Sequence, residues 1–314
     1  MINKKNNMEN TEKNIKPRKA VIAFLLSLLV PGLGQLYNGQ MKKTLLFSFG
    51  LLFYVVSIYL LGIVAHFWLF FASIIVLVVL LLFNLIDATL TARRNKEHEL
   101  KWYNKWYVYL LFVVVWHFSV PIIAQNAIEK SRYRLFSVKT HAGYPNLFVN
   151  DAVLVDTRAY RHQEPDYGDL VVISMTIGGY SVFRIVGMPN DTLIIEPQSV
   201  KYRNSIPAQI YRKNKTTMFV AHYLGYERKR EMEIFTETLP NGVTYKFVRR
   251  EFNAPWLPEL YRKIIVPDNS YFVLGDNRLY SGFTGFSIER EQIRGRVLAI
   301  YFNRRDLTRI NRRL

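Results

Sequence analysis

Four apolar stretches ahead of residue 126 constrain this chain more than any other feature of its sequence. Hydrophobic residues make up 50% of the 314 residues, and most long aliphatic runs fall in this first part. The stretches cover residues 20–37, 44–64, 67–86 and 107–124. The last three approach the roughly 20 residues that an α-helix needs to cross a bilayer. They therefore predict a membrane domain over residues 20–126 with three spans.

The first stretch is shorter and is interrupted by Pro31-Gly32-Leu33-Gly34. Because proline and glycine break a helix, residues 20–40 are predicted to form a re-entrant or short hairpin. A fourth full span is the alternative. A cleaved signal peptide is disfavoured, since no cleavage-site pattern follows and further apolar stretches do.

Basic residues determine the predicted orientation. The chain carries 42 Lys and Arg against 24 Asp and Glu, a net charge of +18. Residues 1–19 read as a disordered basic tail. The positive-inside rule places three basic clusters in the cytoplasm, which three spans and one hairpin satisfy, and everything after residue 126 then lies outside. These clusters are Lys13, Lys16, Arg18 and Lys19; Lys42 and Lys43; and Arg93, Arg94, Lys96, Lys101 and Lys105.

Composition narrows the chemistry. The chain has no cysteine, which excludes disulfides, cysteine-ligated zinc and thiol catalysis. Its six histidines are scattered without the spacing of a zinc motif, and no glycine-rich phosphate loop is present, so we expect neither a metal nor a cofactor. Positive charge beside long apolar stretches favours membrane lipid as a partner and not nucleic acid, for which no fold signature is found.

The later part of the chain reads as β structure. Short runs of β-branched and aromatic residues alternate with turn residues and no long amphipathic helix intervenes, which predicts an all-β, mostly antiparallel domain over residues 127–305. Residues of about 197–265 are more polar and form a variable insert. Residues 306–314 read as a solvated basic tail.

Four short motifs follow one another along this domain. They are Ala142-Gly-Tyr-Pro-Asn-Leu147 with Asn150-Asp151, Gly168-Asp169-Leu-Val-Val172, residues 182–191, and Tyr271-Phe-Val-Leu-Gly-Asp-Asn-Arg278. Their order and spacing resemble the bacterial type I signal peptidases, the S26 serine peptidases. The motif positions shared with that family are Pro145, Asp151, Gly168, Asp169, Arg184, Asp191, Gly275, Asp276, Asn277, Arg278 and Ser281.

The resemblance implies a serine nucleophile activated by a lysine held neutral by burial. The family's first motif reads Ser-Met-x-Pro-Thr-Leu and its third Val-Lys-Arg. Here Ala142 falls at the nucleophile position, Phe183 at the general base, and Thr140 at the hydroxyl that assists the oxyanion. Neither alanine nor phenylalanine can transfer a proton, so no catalytic residue of the dyad is intact.

The last motif departs from the family as well. The segment after Arg278 is about three residues shorter than usual; it keeps Ser281 but lacks the family's Asp and Arg. Asp276 and Arg278 are expected to form a structural ion pair. Three losses around one site indicate a site given up while the fold was kept.

These residues favour a catalytically inactive homologue in the bacterial inner (cytoplasmic) membrane, multi-pass, with the β domain on the periplasmic or extracellular side. It would bind signal peptides, exported proteins or membrane-protein segments, or would assist an active signal peptidase in secretion. One alternative is an active endopeptidase with displaced residues, although a Thr140 hydroxyl lies about 6–7 Å from the nucleophile position along an extended strand. A second alternative is a structural membrane assembly module.

Overall fold

The computed structural model describes residues 17–94, 101–175, 179–195, 200–202, 211–221, 227–249, 262–278 and 285–314. The predicted disordered tail falls almost entirely outside these residues. The chain divides into two compact units, Met1–Ser131 and Arg132–Leu314. We refer to them as the helical unit and the β unit. Their boundary lies a few residues beyond the predicted one at 126.

Apolar helices build the helical unit. They are α1 (Ala20–Leu29), α2 (Leu33–Tyr37), α3 (Met41–Leu60), α4 (Phe67–Arg94) and α5 (Trp106–Lys130). Within the described residues, α3, α4 and α5 are long and apolar enough to cross a membrane. Helices α4 and α5 extend past the predicted span ends at residues 86 and 124, and α3 ends at Leu60, before the predicted end at 64.

Helices α1 and α2 form a short hairpin around the proline-glycine segment. Gly32 adopts φ +88°, a left-handed conformation that favours glycine, and its N–H donates to Asn84 Oδ1 on α4 at 3.0 Å. A Cβ at Gly34 would lie 2.3 Å from a backbone oxygen of α1, so only glycine fits there. The Asn38 side chain donates to the Ala88 carbonyl at 2.7 Å. The non-helical backbone is thus packed against α4 within the helical unit.

Antiparallel strands build the β unit. They are β1 (Tyr133–Ser137), β2 (Asp151–Asp156), β3 (Leu170–Ser174), β4 (Tyr180–Gly187), β5 (Thr192–Ile195), β6 (Val200–Tyr202), β7 (Tyr211–Ala221), β8 (Glu227–Thr238), β9 (Thr244–Arg249), β10 (Arg262–Ile265), β11 (Ser270–Leu274), β12 (Phe286–Glu289), β13 (Ile293–Asn303) and β14 (Arg312–Arg313). The main sheet runs β1-β2-β13-β3-β4-β11-β12, with β14 also paired to β13. Smaller sheets run β10-β5-β6 and β7-β8-β9. The all-β, mostly antiparallel prediction is confirmed.

Strand alternation divides the core of the main sheet into two faces. On β3, Leu170 and Val172 belong to one buried cluster, whereas Val171 and Ile173 belong to another. Because side chains at alternate positions of a strand point to opposite faces, β4 divides in the same way. Val182 joins the first cluster and Phe183 joins the second. The face that carries Phe183 is the one that matters for the candidate site.

The expectation of a solvated tail over residues 306–314 is wrong for part of that segment. Leu307–Arg309 forms a 3-10 turn and β14 pairs with β13. The Arg309 side chain is only 4% exposed. The described part of the insert at 197–265 also packs inward, since Phe235 and Phe247 share a buried cluster with Phe272 of β11.

Candidate functional site

The two positions that the resemblance assigns to nucleophile and base meet in one buried apolar cluster. Ala142 is 3% exposed and Phe183 8% exposed. The Phe286 ring contacts the Phe183 ring edge-on, with the ring centroids 5.2 Å apart. We call this set the Ala142–Phe183 cluster; its other buried members are Val171, Ile173, Ile185, Tyr271, Val273 and Ile288. Residues 41 positions apart along the chain thus share one site, and that site is filled by hydrocarbon.

Backbone hydrogen bonds place Ala142. The chain turns directly after it, since the Leu147 N–H donates to the Gly143 carbonyl at 2.8 Å. A Cβ on Gly143 would lie 2.8 Å from the Leu147 Cβ, so this turn leaves no room for the methionine of the family motif. The Asn277 N–H donates to the Ala142 carbonyl at 2.8 Å. The first and last motifs are therefore joined directly at the nucleophile position.

Thr140 and His141 lie in a bend, not in an extended strand. Strand β1 ends at Ser137, and both residues are partly buried. The strand alternation that we applied to Thr140 therefore does not hold at this point. Burial lowers the pKa of His141 below its ordinary value, which favours a neutral imidazole at neutral pH. The oxyanion-assisting role of Thr140 stays a prediction.

A buried ion pair joins the third motif to the fourth. Arg184 Nε and Nη2 donate to the two carboxylate oxygens of Asp276 at 2.8 and 2.7 Å. Arg184 also donates to the Gly168 carbonyl at 2.7 Å, and Asn146 Nδ2 donates to Asp276 Oδ2 at 2.7 Å. The Asp276 carboxylate thus connects the first and third motifs to the fourth, and Arg184 extends the connection to the second motif through the Gly168 carbonyl.

Arg278 does not take Asp276 as its ion-pair partner, and our expectation on this point is wrong. Its Nη2 lies 2.7 Å from Glu237 Oε2 and 2.6 Å from the Tyr245 hydroxyl, which itself donates to Glu237. Burial raises the pKa of Tyr245 well above its ordinary value, so the phenol stays protonated and remains a donor. Asp276 instead pairs with Arg184, whose guanidinium donates to both carboxylate oxygens.

The insert supplies these partners, which sequence reasoning missed. Glu237 lies on β8 and Tyr245 on β9. The Val248 N–H donates to the Asp276 carbonyl, and the Arg278 N–H donates to the Val248 carbonyl, both at 2.9 Å. Strand β9 therefore holds the backbone of the last motif. Glu237 is one of several glutamates on β8, and nothing in the sequence distinguishes it as buried.

A second buried carboxylate, Asp151, follows the first motif and binds Arg309 from the C-terminal segment. Asp151 Oδ2 lies 2.7 Å from Arg309 Nη2, and its Oδ1 accepts from Asn303 at 2.6 Å. Arg309 also donates to the Asn146 carbonyl at 2.9 Å, with its guanidinium 3.7 Å from the Phe148 ring centroid. Arg309 therefore fixes the turn that follows Ala142.

The remaining motif residues serve turns around the site. Gly168 has φ +86°, which favours glycine. Asp169 accepts from the Tyr160 hydroxyl at 2.9 Å, and Asp191 accepts from the Tyr167 hydroxyl at 2.6 Å. Pro145 lies in the turn of the first motif, and Gly275 directly follows β11 in the last motif. Ser281 falls outside the described residues.

No group of three or more His, Cys, Asp or Glu that could hold a metal is found among the residues described above. The polar groups of the site are instead engaged with each other. Arg184, Asp276, Arg278 and Glu237 are all at most 6% exposed. Each of these charges has an oppositely charged partner at 2.7 Å, and removing one member of either pair would leave the other buried and unpaired.

Three apolar helices precede the antiparallel β unit, and this arrangement is typical of a membrane protein. Its distinguishing part is the β-sheet domain, in which the four motifs meet around one buried site. The family model for signal peptidase, peptidase S26, matches residues 104–302. The chain belongs to this signal peptidase family.

Individual relatives agree with this assignment. The chain is 31% identical to signal peptidase I of Rickettsia rickettsii over 175 residues, which cover 51% of this chain and 60% of that protein. It is 27% identical to signal peptidase I of Rickettsia akari over 201 residues, covering 59% and 71%. Signal peptidase I of Aquifex aeolicus is 25% identical over 207 residues, covering 58% and 80%. The chain spans about 60% of the length of the Rickettsia rickettsii relative.

Proposed function

We propose that this chain is a catalytically inactive signal peptidase homologue that holds apolar segments of exported or membrane proteins without cleaving them. The observation that carries the proposal is the Ala142–Phe183 cluster. A methyl group and a phenyl ring occupy the positions where the family's chemistry needs a nucleophile and a base, and neither group can accept or donate a proton.

The preserved scaffold favours a protein that still binds a peptide over a protein that has lost all function. Asp276 and Arg184 still form a bidentate pair, and Asn277 still binds the Ala142 carbonyl. Strand β1 ends five residues before Ala142 and, within the described residues, pairs with β2 alone. A strand with one free edge accepts an extended peptide by backbone hydrogen bonding. The apolar Ala142–Phe183 cluster favours peptide side chains that are small or apolar.

A photo-crosslinker in place of Phe286 tests the binding. Phe286 is 37% exposed and contacts Phe183, so a benzophenone side chain there samples the space above the cluster. We expect crosslinking of the full chain in lipid to a preprotein carrying a signal peptide. The same preprotein without its signal peptide is expected to crosslink at most one tenth as much.

The matched control places the crosslinker at Leu307, which is 65% exposed on the same unit. It is expected to give only background. Equal crosslinking at both positions, or none at Phe286, contradicts peptide binding and favours a structural assembly module. The active alternative is tested separately by incubating the same preprotein with the chain in lipid. Robust cleavage that Thr140→Ala abolishes overturns the inactive proposal, whatever the crosslinking shows.

We also infer a multi-pass arrangement in a bacterial cytoplasmic membrane with the β unit outside. Three apolar helices and the homology to signal peptidase I support a membrane protein. The basic clusters support the orientation, because positively charged loops stay in the cytoplasm.

Single cysteines test this orientation, since the natural chain has none. A membrane-impermeant maleimide added to intact spheroplasts is expected to label Arg313→Cys, which is exposed on β14. Lys101→Cys, which is exposed ahead of α5, is expected to react only after the membrane is permeabilised. The reverse pattern places the β unit in the cytoplasm and contradicts the inference.

A further inference from the structure

An open apolar groove runs along the helical unit between α3 and α4. Its volume is about 670 Å³, within the roughly 300–1,000 Å³ typical of ligand sites. Leu46, Phe53 and Leu61 on its rim are 67%, 74% and 76% exposed, so the groove opens at the surface of the unit. The Tyr54 and Ser57 hydroxyls at its wall already donate to backbone carbonyls, at 3.0 and 2.8 Å. The groove therefore presents hydrocarbon to its occupant.

Gly50 keeps the groove open at its centre. A Cβ added there would meet nothing within 4 Å. Glycine within a helix weakens the helix relative to alanine, and no close approach of this chain's own atoms requires it here. The space above Gly50 thus belongs to the groove, and a Cβ at this position would enter it without a clash.

A positively charged side chain, Lys42, lies just beyond one end of the groove lining. Lys42 lies one helical turn before Leu46, and Gly50 and Ser57 continue the same face of α3. The neighbouring Lys43 is engaged, with its Nζ 2.7 Å from Asp87. Lys42 is exposed, and it lies in the first turn of a 20-residue helix, where the helix dipole adds to its charge. The groove therefore combines a cationic end with an apolar body.

We propose that this groove binds one anionic phospholipid, with an acyl chain along α3 and the headgroup phosphate at Lys42. The charges are complementary at one end only, as in a phospholipid. The lining residues on α3 and its C-terminal cap run from Leu46 to Leu61, about 22 Å at 1.5 Å per residue, which is long enough for an acyl chain that fills the roughly 15 Å half-thickness of the hydrocarbon core. The positive-inside rule places Lys42 at the cytoplasmic leaflet, where anionic lipids are concentrated. This inference rests on the proposed membrane orientation and not on peptide binding or catalysis.

The test measures lipid that stays on the purified full chain by native mass spectrometry, after exposure to equimolar phosphatidylglycerol and phosphatidylcholine. The natural chain is expected to retain one phosphatidylglycerol in preference to phosphatidylcholine. Lys42→Gln is expected to lower that preference about fivefold, since one lysine near the surface contributes to anionic lipid binding. Gly50→Leu is expected to abolish retention of both lipids, because the leucine occupies the groove.

Matched controls separate the groove from the general lipid surface. Lys105→Gln removes an exposed cation ahead of α5, and Val79→Leu enlarges a side chain on α4 that is 57% exposed and outside the groove lining. Both are expected to retain lipid as the natural chain does. Equal retention of the two lipids by the natural chain, or undiminished retention by Gly50→Leu, overturns the proposal. So does a change of oligomeric state in Gly50→Leu with unchanged lipid, which would assign the groove to a second copy of the chain.

Discussion

Replacing Asp276 with alanine is expected to lower the free energy of unfolding of the β unit by about 3–5 kcal/mol. The change leaves Arg184, which is 6% exposed, as a buried charge without its bidentate partner. It also removes one of the two acceptors of the Asn146 side chain, which keeps the Lys246 carbonyl. Losing one partner of a buried pair costs more than the pair contributes, because the remaining charge keeps its full desolvation penalty.

A single reporter cysteine measures this effect in the full chain. Ala299 is 7% exposed on β13, and the chain has no other cysteine, so thiol labelling of Ala299→Cys reports opening of the β unit alone. A loss of 3 kcal/mol is expected to accelerate labelling by more than about 100-fold. Adding Arg184→Met to Asp276→Ala is expected to recover part of the stability, because it removes the unpaired charge.

An exposed pair in the same unit provides the control. Glu164 and Arg290 form an ion pair with side chains 62% and 40% exposed. Glu164→Gln is expected to change stability by at most about 1 kcal/mol, since water screens exposed pairs. If Asp276→Ala and Glu164→Gln accelerate labelling equally, the buried pair does not hold the motifs together.

The strands of the β unit could be predicted because their signals are local. Leu170-Val-Val-Ile173 is a run of four apolar residues, and all four are buried in β3. The apolar helices could also be predicted, from the length and composition of the apolar stretches. Only the family resemblance predicted that Ala142 and Phe183 lie in one cluster, because no local pattern indicates that two residues on different elements are in contact with the same neighbours.

The ion-pair partners could not be predicted, because pairing between distant segments depends on how strands come together. Arg278 lies two residues from Asp276, and this proximity suggested a pair. In a turn that leaves a strand, however, neighbouring side chains need not face each other, and Asp276 turns toward Arg184, 92 residues away in the chain. Glu237 had no distinguishing signal, since it lies in an insert with many other charged residues.

Arg309→Ala is expected to destabilise the β unit by about 3 kcal/mol, at the lower end of the range for a broken buried pair. The change leaves Asp151, which is 0% exposed, without its cationic partner. Donors at Asn303 and at the Phe148 N–H remain, at 2.6 and 2.7 Å, and reduce the loss. Because Arg309 also binds the Asn146 carbonyl, the turn after Ala142 should loosen, and crosslinking at Phe286 should fall.

Five arginines lie within residues 304–313, and this repetition provides the matched control. Arg313 is exposed on β14, and Arg313→Ala is expected to change stability by less than about 0.5 kcal/mol. Arg309→Lys keeps the charge but loses the paired donors of the guanidinium, so an intermediate loss is expected. Labelling of the Ala299→Cys reporter ranks the three variants. Equal rates in Arg309→Ala and Arg313→Ala would show that the C-terminal segment acts through net charge and not through the buried contact with Asp151.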